Sequence, residues 1–190
     1  MSEKCEEFQN HTNWCVFTGA PSSGKTTVLE RLGSCGYVWV PEVARTIIES
    51  QLAQNVQLND IRADEWAFQR SVVEGKLSLE RGLSPQDVVL LDRGIPDSIS
   101  YFRLHGLDVA EAHAVCRINR YARVFLFDRL QVAYDGVRIE TDDTAALLGK
   151  TLISDYESLG YNVIRVPVLP INERVQFVLS HMVDIKKLNG

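Results

Sequence analysis

The sequence predicts an α/β domain whose parallel five-stranded sheet is covered by helices on both faces. Short apolar runs alternate with helical patterns along nearly the whole chain. The runs are rich in β-branched or aromatic residues and are mostly apolar on both faces, which is typical of buried parallel strands. Strands that alternate with helices form βαβ units with right-handed crossovers. A chain of 190 residues has the length of one domain.

The predicted elements follow one another without a linker. The strands are residues 14–18, 37–40, 88–91, 124–127 and 163–168. The helices are residues 25–32, 41–52, 60–81, 96–104, 109–118, 142–159 and 171–183. Pro41 suits a first helical position, and Gly33, Gly106 and Gly160 lie where helices are expected to end. Residues 1–13 are polar and lack periodicity, so the sequence predicts a tail at 1–13 and a single domain at 14–190.

A glycine-rich segment lies between the first strand and the first helix. GAPSSGKT matches G-x-x-x-x-G-K-[ST] at every fixed position. Between a strand and a helix, the backbone N–H groups of such a loop bind phosphate together with the helix N-terminus. We expect Lys25 to bridge the outer phosphates and the Thr26 hydroxyl to ligate Mg²⁺. The predicted phosphate-binding residues are Gly19, Ala20, Pro21, Ser22, Ser23, Gly24, Lys25, Thr26 and Thr27.

The third apolar run leads into Asp92, followed by Arg93. A carboxylate here suits a Mg²⁺-holding role, although an Asp after a buried strand is also common as a turn or cap residue. Motors that hydrolyse ATP usually carry a glutamate directly after this Asp, whereas a cation stabilises phosphoryl charge instead. The Asp92-Arg93-Gly94 segment lacks D-x-x-G spacing, and no N-K-x-D occurs. The sequence therefore favours phosphoryl transfer to a small acceptor over a motor or a GTPase switch.

Glu42 follows the second strand. In a parallel sheet the binding crevice lies beyond the carboxyl ends of the strands, so Glu42 and Asp92 should both face the phosphates. Two roles are open for Glu42. Its carboxylate either accepts a proton from the acceptor hydroxyl or stabilises the dipole of the helix that begins beside it.

Composition excludes other classes of function. The net charge is −5, and charges of both signs are mixed along the chain, which argues against nonspecific nucleic-acid binding. The four cysteines have no zinc-site spacing and are interpreted as reduced thiols. No segment has the length of a membrane span or the apolar centre of a signal peptide, so we expect a cytoplasmic protein without a membrane span. The composition leaves the oligomeric state open.

Several segments together resemble a known family. They are GAPSSGKTT, VPEVAR, WAFQR, LLDRGIPDSISYFRLHG, FDRL…DGVR and VIRVPVLPINERVQFVL. This set resembles the NadR-type AAA family, P-loop proteins similar to the ribosylnicotinamide kinase domain of bacterial NadR. The resemblance covers residues 16–179. The loop is shared by many families, whereas D-R-G-x-P-D-S at 92–98 and V-P-V-L-P at 166–170 are more specific.

The resemblance implies a nucleoside-kinase-like P-loop fold with a short lid, ATP with Mg²⁺, and a small hydroxylated acceptor. It makes Asp92 a metal-linked acid or base and Arg93 a phosphate clamp. It places a lid at about 129–141, where Arg138 would close over the phosphates, a solvated charge being the alternative for Arg138. Related nucleoside kinases read the base with a glutamine, which suggests Gln69.

The sequence and the resemblance together predict a role for each candidate site residue. The catalytic residues are Lys25, Glu42, Asp92, Arg93 and Arg138, the metal ligands are Thr26 and Asp92, and the acceptor-binding residues are Glu42, Arg45, Gln69 and Arg93. The predicted function is transfer of the γ-phosphate of ATP to a hydroxyl of a nucleoside-like acceptor such as nicotinamide riboside. The alternative is a nucleotide-binding ATPase or regulatory switch of the same family without kinase activity.

Overall fold

The computed structural model describes residues 7–130 and 142–187. Its strands are β1 Asn10–His11, β2 Cys15–Thr18, β3 Val38–Val40, β4 Val89–Asp92, β5 Asn119–Arg120, β6 Arg123–Phe127 and β7 Val163–Val166. Its helices are α1 Lys25–Ser34, α2 Val43–Ala53, α3 Leu58–Ile61, α4 Glu65–Arg81, α5 Asp97–Leu104, α6 Ala110–Val115, α7 Asp142–Ser158, α8 Ile171–Ser180 and α9 Val183–Lys187.

The main sheet has five parallel strands in the order β3-β4-β2-β6-β7. The predicted sheet is therefore confirmed. Successive residues of β2 enter different core clusters, because neighbouring side chains of a strand point to opposite faces. Val16 packs in one cluster with residues of α4, α5 and α7, and Phe17 packs in another with residues of α1 and α8. Helices on both faces explain why β2 and β4 are buried throughout.

The strand register brings the candidate site residues to one edge of the sheet. Phe17 of β2 pairs with Asp92 of β4, and Leu91 of β4 pairs with Val40 of β3. The glycine-rich loop leaves β2 directly after this point, and Glu42 lies two residues beyond the end of β3. All of these segments meet at the carboxyl ends of the strands, as the sequence predicts.

Three predicted helices differ from the structure by more than one or two residues at their ends. The helix expected at 171–183 ends as α8 at Ser180, and a separate helix, α9, begins at Val183. Residues 60–81 were expected to form one helix, but α3 ends at Ile61 and α4 begins at Glu65. Asp64 causes the break, because its side chain accepts a hydrogen bond of 2.9 Å from Ala67 N and caps α4. The helix predicted at 109–118 ends as α6 at Val115, and β5 follows at Asn119.

Part of the predicted tail is hydrogen-bonded to the domain. β1 pairs in parallel with β5 to form a second, two-stranded sheet. Gln9 N donates to Arg117 O at 3.0 Å, and Thr12 N donates to Arg120 O at 2.9 Å. None of the helices within the described ranges has the length and apolarity that crossing a membrane requires.

Candidate active site

The glycine-rich loop connects β2 to α1 through backbone conformations that favour glycine. Gly19 has φ 138°, and a Cβ there would lie 2.6 Å from the Phe127 carbonyl oxygen. Gly24 has φ 80° and is the N-cap of α1. An L side chain at either position would be strained, so the glycines of the motif are required by the path of the backbone. The N-terminus of α1 consequently opens at the end of β2, as phosphate binding requires.

Lys25 lies folded against the loop that precedes it. Its Nζ donates to Gly19 O and Ala20 O at 3.3 Å and to Ser23 Oγ at 3.2 Å. Burial, and secondarily the charge of Arg93, lowers the pKa of Lys25 to about 8. A phosphate beside this ammonium would favour its charged form, so the loop presents a cation that an anionic ligand stabilises.

Thr26 and Asp92 form the candidate metal site. The Thr26 hydroxyl donates to Asp92 Oδ2 at 2.9 Å. The other carboxylate oxygen, Oδ1, is buried and has no hydrogen-bond partner. Burial raises the pKa of Asp92, while Lys25 and Arg93 oppose that rise. An unsatisfied, hard oxygen beside a hydroxyl fits Mg²⁺.

This donor set agrees with a metal that is shared with phosphate. No group of three or more His, Cys, Asp or Glu that could hold a metal occurs within residues 7–130 and 142–187. Mg²⁺ bound with nucleotides needs only one or two protein carboxylates, since phosphate oxygens and waters supply the remaining ligands. Thr26 and Asp92 therefore fit the predicted role.

Arg93 is the most constrained cation of the site. Its backbone is left-handed, with φ 72°, and its N–H donates to Phe17 O at 3.0 Å. The guanidinium donates from Nε to Glu42 Oε1 at 2.7 Å and from Nη1 to Gly19 O at 3.0 Å, and it lies 5.2 Å from the centre of the Tyr101 ring. Arg93 thus links the phosphate loop to Glu42.

Glu42 contacts Arg93 and makes no side-chain cap for α2. Burial raises its pKa, but Arg93 and Lys25 outweigh burial and hold the pKa of Glu42 below its ordinary value. The carboxylate is therefore ionised at neutral pH and can accept a hydrogen bond from a hydroxyl. Neither of the two roles expected from the sequence included the ion pair with Arg93.

Asp97, for which the sequence predicts no role, lies at the centre of the same network. It is fully buried, and each carboxylate oxygen has two donors. Oδ1 accepts from Thr18 Oγ1 at 2.6 Å and Arg93 Nη1 at 3.2 Å, while Oδ2 accepts from Tyr156 OH at 2.6 Å and Gly94 N at 3.0 Å. Burial opposes its ionisation, but Lys76 and Arg93 hold the pKa of Asp97 below its ordinary value.

Two further buried cations were also missed. Lys76 of α4 donates to Gly94 O at 2.8 Å and Ser98 Oγ at 3.1 Å. Arg174 of α8 donates from Nη2 to Ser23 O at 2.8 Å. Both support the backbone of segments that carry the predicted residues. The signal for Asp97 was its place within D-R-G-x-P-D-S, one helical turn after Arg93.

Gln69 and Arg45, two further residues predicted for the site, lie away from the contacts around the phosphate loop. Gln69 is buried and donates from Nε2 to Glu65 Oε1 at 2.7 Å, which also lies 3.2 Å from His105 Nε2. Arg45 is exposed in the first turn of α2. Arg138 and all of the predicted lid except its first two residues lie outside the described residues.

A cavity of about 860 Å³ opens elsewhere on the molecule. Its lining includes Arg123 and Val163, the first residues of β6 and β7, at the amino ends of these strands. No residue of the glycine-rich loop lines it. Since phosphate-binding geometry occurs at the other edge of the sheet, this cavity is not the candidate nucleotide site.

The parallel sheet, the glycine-rich loop and the paired Thr26 and Asp92 define a P-loop nucleotide-binding protein. The family model described as an AAA domain matches residues 14–174, and the chain belongs to this family. No curated protein matches the sequence.

Solved structures share the fold at low sequence identity. Deoxyadenosine kinase from M. mycoides, with dCMP and dCDP bound, has a TM-score of 0.64 and 12% identity, covering 90% of this chain and 99% of that one. Thymidylate kinase from Ehrlichia chaffeensis has a TM-score of 0.64 and 15% identity, covering 90% and 98%. NadR in complex with NR has a TM-score of 0.63 and 19% identity, covering 82% of this chain and 45% of NadR. The predicted family and kinase-type P-loop fold are confirmed.

Proposed function

We propose that this protein is an ATP-dependent kinase that transfers the γ-phosphate to a hydroxyl of a nucleoside-like acceptor, with nicotinamide riboside as the first candidate. The observation that carries the proposal is the ion pair of 2.7 Å between Glu42 and Arg93 beside the phosphate loop. It places a hydrogen-bond acceptor for a hydroxyl next to a cation that can bind a phosphoryl group. The shared fold of nucleoside and nucleotide kinases, and of NadR solved with NR, supports this choice.

The reaction requires positioning and charge stabilisation. The acceptor oxygen forms a bond to the γ-phosphorus, the bond to the bridging oxygen of ADP breaks, and the hydroxyl proton passes to Glu42. Lys25 and Arg93 stabilise the charge of the transferring group. When bound, Mg²⁺ would be held by Thr26 and Asp92 and would neutralise phosphate charge.

The low pKa of Glu42 suits this chemistry. Phosphoryl transfer has a largely dissociative transition state, so the acceptor hydroxyl needs orientation more than early deprotonation. A carboxylate that stays ionised and is fixed by Arg93 supplies that orientation. The proton is then lost late along the reaction.

The experiment is an acceptor screen. The protein is mixed with ATP, Mg²⁺ and, separately, nicotinamide riboside, ribonucleosides and deoxyribonucleosides; ADP is followed, and products are identified by mass spectrometry. We expect one acceptor to stimulate ADP formation and to gain one phosphate. Tight nucleotide binding with no stimulation by any acceptor would overturn the kinase proposal and favour the regulatory switch.

Glu42→Gln tests the acceptor role directly. The amide cannot accept the proton and weakens the pair with Arg93, so we expect kcat to fall by about 10²-fold or more while ATP affinity changes little. The matched control is Glu49→Gln, an exposed position on the same helix, α2. Full activity of Glu42→Gln would remove Glu42 from the reaction.

A further inference from the structure

We propose that Asp97 is a positioning residue that fixes the guanidinium of Arg93 for phosphoryl transfer; this role in catalysis rests on the proposed function. Asp97 contacts Arg93 through Nη1 and contacts the next residue through the Gly94 N–H. It therefore controls both the side chain of Arg93 and the backbone turn from which that side chain extends. Within residues 7–130 and 142–187, no other carboxylate makes both of these contacts.

The backbone of Arg93 needs such an anchor. A left-handed conformation of a residue other than glycine costs on the order of 1 kcal/mol or more and persists only where the surroundings hold it. Arg93 has φ 72°, and its own N–H is bonded to Phe17 O. The bond from Gly94 N to Asp97 fixes the other side of the turn, so removing it would release the strained conformation.

The four donors to Asp97 also require a carboxylate rather than a neutral amide at this position. Each oxygen has one O–H donor and one N–H donor, namely Thr18 with Arg93, and Tyr156 with Gly94. A hydroxyl can rotate to become an acceptor, but an N–H cannot. An asparagine at 97 would turn its amide N–H₂ toward either Arg93 or Gly94, and that N–H would lose its acceptor.

A helix-dipole role does not explain these contacts. Asp97 begins α5, where a carboxylate would be favourable in any protein. Yet its oxygens bond to the end of β2, to the turn before α5 and to Tyr156 of α7. The carboxylate is thus directed toward the Arg93 turn.

The test compares Asp97→Asn with a matched control, Asp155→Asn. Asp155 is a buried carboxylate on α7 that binds Ser100 and Arg103 of α5, away from Arg93. We expect Asp97→Asn to lower kcat at least about tenfold, because a displacement of a reacting or binding group by about 1 Å can lower the rate on the order of 10²-fold. KM for ATP should change much less. In Asp155→Asn, kcat per folded molecule, counted by nucleotide-binding stoichiometry, should stay that of the unmodified protein.

A double-mutant cycle separates positioning from general stability. If Asp97 acts through Arg93, then Asp97→Asn should have no further effect on kcat in an Arg93→Met background. Additive losses in kcat would overturn the proposal. Should Asp97→Asn fail to fold, Tyr156→Phe removes only one donor to Asp97 and should lower kcat in the same direction.

A measurement without acceptor keeps this proposal separate from the proposed function. The Nε–Hε signal of Arg93, assigned by its loss in Arg93→Lys, is recorded by NMR in nucleotide-free protein. We expect it to shift in Asp97→Asn and to stay in place in Asp155→Asn. If the unmodified protein transfers phosphate to no acceptor, the proposed function fails while this signal still decides the positioning role. An unmoved signal in Asp97→Asn would overturn that role.

Discussion

Lys25 is the residue whose charge should respond most directly to nucleotide. Its pKa of about 8 in the free protein means that it is largely neutral above that pH, whereas bound phosphate raises the pKa. We therefore expect ATP binding at about pH 9 to take up close to one proton, with affinity falling about tenfold per pH unit. Calorimetry in two buffers of different ionisation enthalpy measures this uptake.

The contribution of Lys25 to the stability of the free protein should change with pH in the opposite direction. The folded-state pKa of Lys25 lies below its unfolded value, so the unfolded chain binds more protons between about pH 8 and the ordinary lysine pKa. The contribution of Lys25 to the free energy of unfolding then rises with pH in this window. Burial also lowers the pKa of Lys76 and raises the pKa of the Cys15 and Cys116 thiols to about 12. The Lys25 contribution is therefore the difference in slope between the unmodified protein and Lys25→Met. Lys25→Met should also remove the proton uptake; an uptake that persists in it would assign the proton to another group.

At the residue scale, the sequence predicts the groups that belong to a motif and misses those that support it. Lys25, Thr26 and Asp92 follow from the loop and the strand end, and Glu42 follows from the edge of a parallel sheet. Lys76 was missed because a lysine within a helical pattern usually lies on the solvated face. It is buried here because a carbonyl and a hydroxyl satisfy its ammonium, and those contacts depend on tertiary structure.

At the element scale, the connection from β2 to α1 depends on the absence of a side chain at Gly19. A Cβ there would approach the backbone carbonyl of Phe127, which lies in β6 and cannot move without disturbing its pairing with β7. We expect Gly19→Ala to abolish nucleotide binding and to lower the free energy of unfolding by clearly more than the roughly 1–2 kcal/mol of a left-handed alanine.

Gly36→Ala provides the comparison. Gly36 also has a positive φ, 91°, but a Cβ there meets nothing within 4 Å. This variant isolates the backbone term, so it should lose about 1–2 kcal/mol and bind nucleotide normally. Urea denaturation and titration with a fluorescent nucleotide measure both quantities. Equal costs in the two variants, with binding retained in both, would contradict the steric argument.

The elements themselves were predicted where a side-chain pattern marks them. The five strands of the main sheet and the long helices follow from apolar patterns in the sequence. The break before Glu65 was missed although Asp64 is a residue that favours N-caps. The pairing of β1 with β5 has no such pattern, because two-residue strands are held by backbone hydrogen bonds that any sequence can make.

At the scale of the whole molecule, the candidate metal site should lower the free energy of unfolding of the nucleotide-free protein. Asp92 is 4% exposed, its Oδ1 has no partner, and burial raises its pKa. We expect Asp92→Asn to raise the free energy of unfolding of the nucleotide-free protein at neutral pH by on the order of 1 kcal/mol, or about 2–4 °C in Tm. It should also abolish stabilisation by Mg²⁺ with ADP.

The stability difference between Asp92→Asn and the unmodified protein should depend on pH. Because the folded-state pKa of Asp92 is raised, the unmodified protein regains stability as the pH falls through that pKa. The advantage of Asp92→Asn should therefore shrink on acidification. Thermal unfolding from neutral to acidic pH measures the difference; a variant that is less stable at neutral pH would contradict the stated cost.

The bond between Arg174 and Ser23 joins residues that are 151 positions apart. During synthesis the phosphate loop is therefore made long before α8. The carbonyl of Ser23 acquires its guanidinium partner only after α8 has been translated. A nascent chain that stops before α8 carries the complete G-x-x-x-x-G-K-[ST] motif but lacks the Arg174 contact, so we expect the loop to be completed only once α8 has been made.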